Sequence, residues 1–139
     1  MLATTIADPK TGVKVRVSEF GQLAVAPLAY SEPSFKKLDV NNTAFTFVAP
    51  QDGHQIIITD IILTANKNVG ANDATVDIYE ADSELTTVIT KSIIELEMIK
   101  QSSLALTGLN LLVPPGLWVN AKTDDNDVFV TIMYYRVPV

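Results

Sequence analysis

A chain of 139 residues, 47% of them hydrophobic and none of them cysteine, fits one domain around one core, with neither disulfides nor thiolate-held zinc to staple it. Its formal net charge of −6 and pI near 4.6 exclude a general nucleic-acid binder, because backbone phosphates demand a concentrated basic surface, and offer no polybasic membrane contact. Mean hydropathy is high for a small soluble protein, at +0.24, yet no apolar run approaches the roughly 20 residues that span a bilayer, so another subunit is expected to cover the excess apolar surface.

The opening Met1 to Asp8 lacks a charged start followed by an apolar core, so it reads as a loose tail and not as a secretory leader. Through residue 40 the chain carries prolines at 9, 27 and 33, glycines at 12 and 21, and only short apolar stretches such as Leu23-Ala-Val-Ala26. Val13, Val15 and Val17 alternate with Lys14, Arg16 and Ser18, as in a half-buried strand. Proline cannot donate to a sheet ladder, so residues 1–40 are expected to form edge strands or an extended arm, with the compact body starting near residue 41. The charge divides at the same place, +1 for residues 1–40 and −7 for residues 41–139.

From there period-2 alternation recurs to the end, the mark of strands with one buried face. Phe45, Phe47 and Ala49 alternate with Thr46 and Val48. His54 to Ala65 is apolar on both faces, as expected of a central strand covered on two sides or one that bends between sheets. Thr75 to Glu80 alternates again. Thr86 to Lys100 is ambiguous: Ile94, Leu96 and Met98 alternate with Glu95 and Glu97, but the same residues are good helix formers, which leaves a short helix between Ser92 and Lys100 open. Leu104/Leu106, Leu109/Leu111/Val113, Leu117/Val119/Ala121 and Val128/Val130/Ile132/Tyr134 complete the run. Pro50-Gln-Asp-Gly53, Asn66 to Asp73, Pro114-Pro-Gly116 and Asp124 to Asp127 supply the turns. About eight to ten short strands with such punctuation, without a fixed-period repeat, predict an all-β antiparallel sandwich or barrel.

The supply of catalytic groups is thin. His54 is the only histidine and opens the core strand just after a glycine turn, which suits a strand-entry role; no Gly-x-Ser-x-Gly elbow is present. Glu95 with Glu97, or Asp77 with Glu80, could supply the acid and base of a glycosidase, but that chemistry generally needs a long groove with aromatic platforms, and one Trp and 7% aromatics offer little of either. These carboxylates therefore read as a solvated face. Asp124 to Asp127 and the Asn66 to Asp73 loop are oxygen-rich, as calcium prefers, yet neither follows the EF-hand spacing, and a hairpin turn explains the first equally well. No phosphate-cradling glycine motif occurs. Catalytic residues, cofactors and metals are thus expected to be absent, and the chain is expected not to be an enzyme.

Four segments together resemble a known group: Asp52 to Ala65, Asn72 to Tyr79, Leu109-Asn-Leu-Leu-Val-Pro-Pro-Gly-Leu-Trp-Val-Asn120, and Asp127 to Arg136. Their layout is similar to the small jelly-roll domains of tailed-bacteriophage virion proteins, in particular capsid decoration (cement) proteins and fibre or spike heads. The likeness covers about residues 41–137. It implies an eight-stranded antiparallel jelly roll, commonly a homotrimer, made in the host cytoplasm and seated on the capsid surface, where it locks neighbouring capsid subunits together. It carries over no catalytic residues. The expected partner is a major capsid protein or a neighbouring virion protein, with no nucleic acid and no membrane. Residues 1–40 would dock on that partner or swap onto an adjacent subunit, through unpaired strand edges and a slight positive charge. The residues expected to make partner contacts are Lys14, Arg16, Leu23, Val25, Tyr30, Phe35 and Trp118. The other function implied is a receptor- or carbohydrate-binding head of a fibre or spike, which would use Trp118 and the Asn66 to Asp73 loop.

Overall fold

A computed structural model of the chain describes residues 5–7, 14–16, 32–38, 43–66, 73–124 and 127–139. The chain divides into two compact units, Met1–Tyr30 and Ser31–Val139. In the first, β1 (Thr5–Ala7) pairs antiparallel with β2 (Lys14–Arg16), Ile6 opposite Val15.

The second unit holds β3 (Glu32–Leu38), β4 (Phe45–Val48), β5 (His54–Ala65), β6 (Ala74–Ala81), β7 (Lys91–Met98), β8 (Ser103–Leu106), β9 (Leu111–Val113), β10 (Trp118–Thr123) and β11 (Val128–Pro138). They form two antiparallel sheets, one in the order β4-β10-β6-β7 and one in the order β3-β11-β5-β8, with β9 also paired to β5. Strands β8 and β9 take successive lengths of the same edge of β5, so they act as one interrupted strand. Counted that way, eight strands fall into two sheets of four. The chain crosses between the sheets after β3, β4, β5, β7, β9 and β10, which is jelly-roll connectivity. The all-β sandwich expected from alternation is the fold that forms.

Segment 32–38, read as edge strand or arm, is an edge strand: β3 pairs along its whole length with β11, and Leu38 is fully buried. The sandwich unit thus begins at Ser31, ahead of the expected boundary near 41. The ambiguous stretch before Lys100 is strand β7, because Ile94, Leu96 and Met98 must all reach one side to lie opposite Ile78, Val76 and Ala74 of β6. A helix would scatter them around its axis, so tertiary packing overrides helix propensity here.

Strand β5 explains its own two-faced apolarity. Ile56 and Ile58 face the core, and beyond them Ile61, Leu63 and Ala65 do, so the phase of alternation switches once. The switch is a bulge: Asp60 lies opposite Met133 and Ile58 opposite Tyr134, which makes Thr59 the extra residue of β5. Thr59 Oγ1 donates to the Met133 carbonyl at 3.2 Å, and its own carbonyl accepts from Leu109 N at 2.7 Å. Asp60 Oδ1 accepts from Gly108 N at 3.2 Å. The break between β8 and β9 therefore sits against the bulge, with its amides satisfied by the bulged residues.

The core between the sheets is aliphatic, with Ile58, Ile61, Leu63, Val76, Ile78, Val119, Val130 and Ile132 all fully buried. Each such side chain contributes roughly 1.5–3 kcal/mol relative to exposure. Gly53, at φ 68, closes the turn in which His54 N donates to the Gln51 carbonyl, a backbone state that a side chain would strain.

Candidate partner-binding surfaces

Because β11 buries Val128, Val130, Ile132 and Tyr134, its residues Phe129, Thr131, Met133 and Tyr135 point to the outer face of the five-stranded sheet. Register extends this face sideways: Phe35 lies opposite Thr131, Thr131 opposite Ile62, and Ile62 opposite Ala105. A second row runs Tyr135, Ile57, Leu112. The Phe35 and Phe129 rings stack with centroids 6.0 Å apart and planes 16° from parallel, yet Phe35 remains 58% exposed. Ile62 and Leu112 are 42% and 48% exposed. Lys37 lies over the Phe129 ring at 6.0 Å and pairs with Asp127, so its charge is held at one border of the apolar rows. At the sheet's rim, β3 carries Pro33, Lys36 and Lys37, the residue types that keep an edge from pairing indiscriminately. A face this apolar is a surface that a partner covers in most soluble proteins.

The outer face of the four-stranded sheet is built differently. Residues 82–90, between β6 and β7, run across it and are tied down by buried polar groups. The fully buried Asn120 donates through Nδ2 to the carbonyls of Ser83 (3.1 Å) and Thr86 (3.3 Å), and its Oδ1 accepts from Thr46 Oγ1 at 2.9 Å. That hydroxyl in turn accepts from Leu85 N at 3.0 Å. The Tyr79 hydroxyl, also buried, donates to the Thr86 carbonyl at 2.7 Å, and desolvation pushes its pKa up to about 12, with the Asp77 charge adding to the rise. Leu85 is held at φ 54, a strained state for a side chain with a Cβ, and Leu85 and Val88 are left 58% and 71% exposed.

Beside this strap runs a charged row set by register: Lys122 opposite Asp77, and Asp77 opposite Glu95. Burial raises the Asp77 pKa; Lys122, 3.9 Å away, and the Ser92 hydroxyl, which donates to it at 3.3 Å, pull it back, and Glu95 raises it further. The row lines an open cleft of about 340 Å³ together with Thr75, Ile89 and Asp124.

Of the residues expected to contact a partner, the two in the sandwich unit lie on different outer faces. Phe35 is on the outer face of the five-stranded sheet. Trp118 lies opposite Ala81 on the outer face of the four-stranded sheet, in phase with Asn120, and is half-buried. Lys14 and Arg16 belong to β2 of the first unit. Leu23, Val25 and Tyr30 lie outside the described residues, as does most of the Asn66 to Asp73 loop. His54 opens β5 as expected, its Nδ1 donating to the Asp52 carbonyl at 2.9 Å. Asp124 Oδ1 accepts from Thr75 N at 2.7 Å and Asp127 pairs with Lys37, so both carboxylates serve the β10–β11 connection.

The solvated-face reading holds for Glu95 and Glu97, which are exposed, and fails for Asp77 and Glu80, which are 7% and 3% exposed. Three positions apart on one strand, these two point to opposite faces and form no pair. The Asn120–Thr46–Tyr79 network escaped sequence reading, since a buried amide in an alternating strand looks like an outward polar residue. Glu80 did leave a signal: it follows Ala74, Val76 and Ile78 in the inward phase, where an apolar residue belongs.

No protein-family model matches the sequence, and no curated protein does. Among solved structures, the chain is similar to a chain of the cyanophage Pam1 capsid asymmetric unit, with 19% identity and a TM-score of 0.41, covering 81% of this chain and 94% of that one. It is also similar to a chain of infectious bursal disease virus, Gt strain, with 12% identity and a TM-score of 0.37, covering 99% of this chain and 38% of that one. At these values neither likeness assigns a role.

Proposed function

We propose that the chain is a virion structural protein, a decoration or cement protein that binds a capsid shell from outside and stabilises it, and that it is not an enzyme. The observation that carries this reading is the outer face of the five-stranded sheet, where Phe35, Phe129, Ile62 and Leu112 present apolar surface that favours burial against another protein. The jelly-roll connectivity agrees with the fold implied by the resemblance to tailed-phage decoration proteins; shared fold alone is a weak warrant for function, so the surface takes precedence. In this reading the chain is a homotrimer, its apolar face meets a major capsid protein or a neighbouring subunit, and residues 1–30, ahead of the sandwich unit, add a second attachment.

The test is co-sedimentation with capsids. Particles that carry the protein are expected to melt at higher temperature than particles stripped of it, and a chain lacking residues 1–30, which keeps β3, is expected to bind them more weakly. Specific binding on a glycan array without capsid association would instead support a fibre or spike head.

A further inference from the structure

Glu80 occupies an inward position of β6, opposite Val119, at the flank where the two sheets' edges β7 and β9 come together. Its side chain is only 4% exposed. Its charge partner among the described residues is Lys91 Nζ at 3.7 Å, beyond hydrogen-bond distance, on a side chain that is itself 68% exposed. A carboxylate taken this far out of water normally accepts several hydrogen bonds, and a removed or missing donor costs its full desolvation. The Glu80 carboxylate accepts none from the described residues, and Glu80 lines a cleft of about 280 Å³ with Lys91, Ile93, Asn110, Leu111 and Val113. The cleft lies below the roughly 300–1,000 Å³ of small-molecule pockets and suits a single side chain.

We infer that this cleft receives an arginine side chain from a partner protein. A planar guanidinium offers paired N–H donors that match both carboxylate oxygens, where the compact ammonium of Lys91 lies near Oε1 alone. The flat apolar faces and stem of arginine would lie against Ile93 and Leu111, while the Asn110 amide oxygen provides a further acceptor at the rim. Lys91 swings out as the guanidinium enters, which its exposure permits. The inference is distinct from the apolar face of the other sheet, although under the proposed function the arginine belongs to the capsid protein.

N-acetyl-arginine amide titrated into the full chain is expected to give saturable NMR shifts at Glu80, Ile93 and Leu111, and the citrulline analogue, the same shape without charge, to give none. Glu80→Gln is expected to weaken the arginine response roughly thirtyfold or more. Asn110→Ala, at an exposed position that leaves the fold intact, is expected to weaken it a few-fold. Equal responses to arginine and citrulline, or an unchanged response in Glu80→Gln, would overturn the inference. Capsid binding that survives Glu80→Gln while arginine fails to bind removes the cleft and spares the virion reading; arginine binding without any capsid association does the reverse.

Discussion

Asn120 engages both ends of its amide, holding the Ser83 and Thr86 carbonyls with Nδ2 and the Thr46 hydroxyl with Oδ1. Truncation to alanine strands those partners under the strap, so Asn120→Ala is expected to lose about 2–3 kcal/mol in urea unfolding and to open residues 82–90 to limited proteolysis. Asp77 works the other way. Its folded pKa is raised above 3.8 because desolvation outweighs Lys122 and Ser92. The stability linked to its protonation is fully present below pH 3.8 and lost as pH rises through the folded pKa. Asp77→Asn is therefore expected to be the more stable protein at neutral pH, with the advantage vanishing below pH 3.8 in thermal melts across pH. At this scale the sequence carried a signal at Glu80, its broken phase, which the solvated-face reading passed over. It hid Asn120 and Tyr79, whose burial depends on a strap folding back over them.

Among the elements, β5 was readable as the core strand from His54 to Ala65, and its ends agree with the alternation and turn signals. The bulge was written there too, as a change of apolar phase from Ile56 and Ile58 to Ile61 and Leu63, but only pairing with β11 shows which residue is the extra one. Deleting Thr59 restores strict alternation with Ile56, Ile58, Ile61, Leu63 and Ala65 still on one face, and removes the bonds Thr59 makes with Met133 and Leu109. The shortened chain is expected to stay folded by circular dichroism but to unfold at lower urea, with a larger loss than that of replacing Thr59 by valine, which keeps the Leu109 bond. Strand β7 marks the opposite case: its residues suit helix or strand, and only the facing Ala74, Val76 and Ile78 decide.

For the molecule as a whole, alternation and turn residues sufficed to predict a sandwich, because each strand must bury one face and each turn needs residues that tolerate it. Which outer face stays apolar was not legible, since strand order sets the neighbours: Phe35, Thr131 and Ile62 are far apart in sequence and adjacent only through β11. Combining Phe35→Ser with Ile62→Thr is expected to shift light-scattering mass toward the monomer and to abolish capsid binding. Lost stacking and partial burial account for a cost of about 1–2 kcal/mol in the same variant, too little to unfold it.

The place of β11 has a consequence for how such a chain can be assembled. It lies between β3 and β5, with Leu38 opposite Val128 and Ala65 opposite the same residue, so two strands formed early are joined by one that follows both. Until it inserts, β3 lacks its only sheet neighbour among the described strands, and closure over so long a loop is slow, on the order of milliseconds to seconds. The strand is thus a clasp that could be supplied from outside: a chain severed in the turn after Asp124 would regain its five-stranded sheet when a peptide spanning Val128 to Val139 threads back into the gap.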